Sequence, residues 1–157
     1  MKANQAMKPI LLALIALFFT TSVCAADGPD GSVPIAGQDS FVQVKLTSSM
    51  IVGSSKPGDA VTAVVMGPAP SLLGARMEGT IDRAEHCVLT FSFHTLSLDG
   101  TVYPVRSRIV AIMNSKGIEG QDDLGQRIRL EENDMVAYGI TTALDEGAEV
   151  RLSVWKK

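Results

Sequence analysis

The feature that most constrains this chain is the stretch from Cys87 to Val105, two alternating runs joined by Asp99-Gly100. In Cys87-Val-Leu-Thr-Phe-Ser-Phe93, residues Cys87, Leu89, Phe91 and Phe93 fall on one face of a strand. Val88, Thr90, Ser92 and His94 fall on the other. A two-residue Asp-Gly loop between alternating segments is a strong hairpin signal, because a type I′ turn needs positive φ at both central positions. Thr101–Val105 should therefore return antiparallel, with Arg106–Met113 as its extension. That extension would place Ser107, Ile109, Ala111 and Met113 on one side. Pro104 cannot donate to a ladder and marks an edge or a bulge.

The same β pattern fills the neighbouring sequence. Phe41–Leu46 alternates Val42, Val44 and Leu46 against Phe41, Gln43 and Lys45, as a half-buried strand does. Val61–Met66, apolar except for Thr62, reads as a strand covered on both faces. Between them, Pro57-Gly58 has the chemistry of a type II turn. Ala75–Arg83, Arg127–Glu131 and Ala148–Trp155 read as further strands, and Asn114–Gln126 as a glycine-rich loop. Glu132–Ala143 fits a short helix somewhat better than a strand. The expected fold is all-β, a small antiparallel barrel or sandwich of six to eight short strands, with at most one short helix near 132–143.

Ahead of this domain, Lys2 and Lys8 precede an unbroken apolar run from Ile10 to Phe19. The run suits the core of a secretory signal peptide and is shorter than the roughly 20 residues a membrane-spanning helix needs. The expected signal is residues 1–25, cleaved after Ala25 or, alternatively, after Ala26. Cys24 also suggests lipoprotein processing. That route takes a small residue before its cysteine, where this chain has the branched Val23. Residues 26–40, rich in Gly, Pro, Ser and Asp, read as a flexible leader, and residues 41–157 as a single β-domain. The expected address is periplasmic or secreted, with no integral membrane span after cleavage.

Cleavage after Ala25 removes two lysines and no acid, taking the formal charge from −3 to −5. That balance, with arginines scattered among acids, argues against nucleic acid as a partner. Cleavage also leaves Cys87 as the one cysteine, so an internal disulfide is excluded and a buried, inert thiol is expected.

Candidate chemistry is sparse. His86 and His94 on one extended strand would stand about 26 Å apart, too far for a shared metal. Cys87 and His86, as strand neighbours, would point to opposite faces, which prevents direct activation of the thiol. Glu119, Asp122 and Asp123 lack the alternate spacing of a calcium loop and read as solvated. The scattered methionines read as core filler. No catalytic, metal or cofactor set is expected. The residues singled out for interaction are Thr90, Ser92 and His94, on the polar face of the strand.

One longer order of motifs stands out. A strand leads into Thr47-Ser-Ser49, then Lys56-Pro-Gly-Asp59 and the apolar run 61–66. Gly-Ala-Arg-Met-Glu-Gly follows at 74–79, then Leu98-Asp-Gly-Thr-Val-Tyr-Pro104 and Gly-x-x-Gly-x-Asp-Asp at 117–123. Over residues 41–126 this resembles the C-terminal β-barrel of the envelope-spanning scaffold of type IV secretion and conjugation machines. In that family a serine-x-x-proline-glycine turn, a proline-x-glycine-serine strand and a proline-aspartate-glycine hairpin precede a glycine-rich loop. The family's transmembrane anchor, proline-rich stalk and helical antenna have no counterpart here. The resemblance implies a barrel domain without the machine's spanning parts. A non-enzymatic binding or scaffolding role in the cell envelope is what this implies, with an envelope protein or a second copy as the expected partner, engaged through an open strand edge. A periplasmic small-ligand or metal-binding protein using His94 is the alternative, and a small envelope enzyme the third reading.

Overall fold

The computed structural model describes residues 40–131, 134–137 and 141–157. The expected signal peptide, its expected cleavage at Ala25 or Ala26, and the expected leader up to residue 39 lie outside the described residues. Ten strands follow in order: β1 (Ser40–Leu46), β2 (Met50–Ile51), β3 (Ala60–Gly67), β4 (Arg76–Glu85) and β5 (Val88–Leu98). They continue as β6 (Thr101–Met113), β7 (Ile128–Glu131), β8 (Asp134–Ala137), β9 (Ala143–Leu144) and β10 (Glu149–Lys156). A single 3₁₀ turn, Pro70–Leu72, links β3 to β4.

Six strands close on themselves in the order β1, β3, β4, β5, β6, β10 and back to β1, every pair antiparallel. The fold is therefore an all-β barrel. β8 pairs with the start of β5 and carries β7 on its outer edge, while β2 and β9 form a separate two-stranded sheet. Ser40, expected to end the leader, already pairs with Val154. No helix among the described residues is long and apolar enough to cross a membrane.

A six-stranded barrel is narrower than the eight-stranded barrels whose interiors side chains just fill. Here the inward face of each strand supplies one continuous core. Val42, Val44, Val61, Ala63, Met77, Phe93, Leu96, Val105, Leu152 and Val154 are all buried within it. Met50 from β2 and Leu144 from β9 join the same cluster, as does Leu72 of the 3₁₀ turn. Phe91 and Phe93 meet edge-on at 5.9 Å between ring centroids, a favoured aromatic geometry.

Both turns read from the sequence form. Gly58 has φ +92°, and the Asp59 N–H donates to the Lys56 carbonyl at 3.0 Å. Asp99 and Gly100 have φ +49° and +80°, and Leu98 pairs with Thr101 directly across the turn.

Several expectations change. Among the described residues of 132–143 no helix forms: 134–137 are strand β8 and 143–144 are strand β9. Pairing of β8 with both β5 and β7 overrides the local ambiguity of that stretch. Val61–Met66 is not covered on both faces. It alternates Val61, Ala63 and Val65 inward, with Met66 left 52% exposed, because a barrel strand has one interior face. Of the scattered methionines, Met50 and Met77 do fill the core, and Met66 does not. In β6 the expected row Ser107, Ile109, Ala111 and Met113 does not hold as one face: the buried residues are Val105, Ile109 and Ile112. Arg151 pairs with Ala111 and Leu152 with Ile109, so Val110 is one residue extra, a bulge that switches the inward face.

Candidate functional site

The barrel is joined unevenly. β6 pairs with β10 over eight residue pairs, but with β5 over four, from Leu98–Thr101 to Thr95–Pro104. Pro104 ends the ladder, as its missing N–H requires. Beyond it the two strands part, and the Phe93 N–H is taken instead by the Ser107 hydroxyl at 2.8 Å.

A second irregularity coincides with the parting. Glu78 pairs with Thr95 and Gly79 with Phe93, which leaves His94 as the extra residue of a bulge in β5. Phe93 and Leu96 can thus both face the core while His94 stays exposed on the outside. Bulges of this kind re-aim side chains and end pairing. His94 Nε2 lies 3.1 Å from the Thr80 hydroxyl and 3.5 Å from that of Ser92.

The parted strands leave an outer groove of about 400 Å³, lined by Ser92, His94, Arg106, Arg108, Trp155 and Lys157. Trp155 is half-buried and stands directly across the sheet from Arg106. Arg108 and Phe41 flank Ser153 on the next rung, and the Phe41 ring is 53% exposed. The groove is basic within an acidic chain. Neither Arg106 nor Arg108 is ion-paired among the described residues. Glu78, behind His94, is paired with Arg76 at 3.1 Å.

The residues singled out in the sequence divide here. Ser92 and His94 line the groove, whereas Thr90 lies outside it, opposite Arg83 of β4. The two arginines and Trp155 escape sequence reasoning because they reach the site from β6 and β10. Their proximity to β5 depends on barrel closure.

His86 and Cys87 are not strand neighbours. They form the two-residue turn between Glu85 of β4 and Val88 of β5, with His86 at φ +55°. Cys87 is half-buried there rather than buried, and its carbonyl accepts from the Thr142 hydroxyl at 3.2 Å. No group of three or more His, Cys, Asp or Glu side chains among the described residues could hold a metal ion.

The acidic loop is not simply solvated. Asp122 is fully buried, and its Oδ1 accepts from the backbone N–H groups of Leu124 (3.0 Å) and Gln126 (2.8 Å). The Gln126 side-chain amide donates to Oδ2 at 3.2 Å and also to the Thr141 carbonyl. Asp123 accepts from the Ser115 N–H at 2.8 Å and from the Asp145 N–H at 2.7 Å. These carboxylates satisfy backbone donors, so they tie the loop to the barrel rather than offer it as a ligand set.

Ser107→Ala should lower stability by about 1–2 kcal/mol by stripping the Phe93 N–H of its acceptor. Faster amide exchange at Phe93, with the Leu96 amide unchanged, is the measurement that checks it. No protein-family model, no curated protein and no solved structure matches the chain.

Proposed function

We propose that this protein is an exported, non-enzymatic binding module of the cell envelope that recognises an envelope protein, or a second copy of itself, through the groove where β5 and β6 part. The groove carries the reading. It gathers Arg106, Arg108, His94 and Trp155 on the outside of a barrel whose interior is filled by core side chains. Trp and Arg are the side chains most enriched where binding energy concentrates at protein interfaces. The likeness to the secretion-scaffold barrel, drawn from the order of turns over residues 41–126, belongs to this proposal as its source of context. Export rests on the pattern of residues 1–25.

The test uses a photoreactive side chain in place of Val102, which is 61% exposed on the same outward row of β6 as Arg106 and Arg108, and separately in place of Met66. Met66 lies on β3, which stands opposite β6 in the ring of six strands. Irradiated cells should give a discrete adduct from position 102 and none from position 66. A strictly monomeric protein recovered alone from envelope fractions, with no adduct from either position, overturns the proposal.

A second reading, a small-ligand protein using His94, is favoured by the place of His94 in the groove. A ligand retained in native mass spectrometry, or a raised melting temperature in a ligand panel, would support it.

A further inference from the structure

We infer that the groove takes an extended, acidic segment of a partner protein, with carboxylates at alternate positions; this rests on the binding-module reading above. Arg106 and Arg108 share the outer face of β6, two residues apart. Side chains on one face of a strand repeat at about 6.6 Å. Any partner chain lying extended presents its own alternate side chains at that same interval. Two guanidiniums in this register match two acids on such a chain, and each can hold a carboxylate by paired N–H donors.

The charge environment supports the same occupant. Both arginines are exposed, and neither is ion-paired among the described residues. The ion pairs nearby and on β7 use Arg76 with Glu78 and Arg129 with Glu131. An acidic protein that keeps two arginines without an ion-pair partner among the described residues in one groove selects against basic partners and steers acidic ones to that spot.

Apolar surface completes the site. Trp155 stands across from Arg106, and Phe41 lies one rung along, beyond Ser153. A segment whose acids meet the arginines can rest the side chains between them against these rings. A small carboxylate would engage the cations but leave the aromatic surface bare.

Trp155 is the one tryptophan of the chain, so its emission reports directly on the groove. The purified protein is titrated with a capped peptide of alternating glutamate and threonine. Parallel titrations use a lysine–threonine peptide, glutarate and single-stranded oligothymidylate. The acidic peptide should give a saturable change in emission that weakens as salt is raised. The double variant Arg106→Gln with Arg108→Gln should bind about tenfold more weakly or worse. Its circular dichroism and melting should match the parent, since both side chains are exposed. Met66→Gln should bind as the parent does.

The inference is overturned if the acidic peptide gives no saturable change, or if the double variant binds it equally well. It is also overturned if glutarate, the lysine peptide or oligothymidylate binds as tightly. Failure here with a cross-linked adduct at position 102 leaves the binding module standing and removes only its acidic partner. Failure of both removes the module as well.

Discussion

Gly79→Ala is expected to cost at least about 4 kcal/mol, enough to lower the melting temperature by about 15 °C or to abolish cooperative unfolding. The reason is steric rather than conformational. A Cβ at position 79 would stand 1.8 Å from the Ser92 carbonyl oxygen and 2.6 Å from the Phe93 Cα. Both obstacles are main chain, so no rotamer change relieves them. β4 and β5 would have to separate at the bulge beside His94, breaking the ladder on either side of Gly79–Phe93. Gly58→Ala is the informative comparison. Its Cβ meets nothing within 4 Å, but the backbone sits at φ +92°, so the cost should be about 1 kcal/mol. Urea titrations of the two variants separate these mechanisms. A loss at Gly79 no larger than that at Gly58 would show that β5 yields more readily than the bulge geometry implies.

Asp122→Ala should have the next largest effect, about 3 kcal/mol. One buried carboxylate satisfies the Leu124 N–H, the Gln126 N–H and the Gln126 side-chain amide. Alanine leaves the two backbone donors without their acceptor and the Gln126 amide with the Thr141 carbonyl alone. Asp122→Asn should lose about 1 kcal/mol. It keeps the oxygen that serves the two backbone donors and sets an amide nitrogen against that of Gln126. Amide exchange at Leu124 and Gln126 should speed up in the alanine variant and far less in the asparagine variant. Equal losses in the two would show that the buried charge, rather than the pattern of acceptors, holds the loop.

What the sequence disclosed was local. The Asp99-Gly100 hairpin, the Pro57-Gly58 turn and the inward row Leu89, Phe91, Phe93 each follow from a few adjacent residues. The bulges at His94 and Val110 were not legible, because an extra residue is defined only against the strand it faces. The turn at His86-Cys87 contains neither glycine nor proline. Histidine is enriched among residues that tolerate positive φ, and that was its one faint signal. Two members of the groove, Ser92 and His94, were visible as a polar face. Arg106, Arg108 and Trp155 become their neighbours only when the strands close into a ring. Asp122 reads from sequence as a solvated acid because composition shows a carboxylate but not the amides that turn toward it.

β1 and β10 are partners, with Ser40 against Val154 at one end of the ladder and Lys45 against Glu149 at the other. The ring thus joins the first described strand to the last. A chain synthesised from its N-terminus cannot complete this circle until β10 has emerged. Pairings of such long sequence separation make folding slow. Premature closure is thereby ruled out by topology alone: with five strands of the ring in place, the barrel still stands open between β1 and β6 until β10 fills the gap.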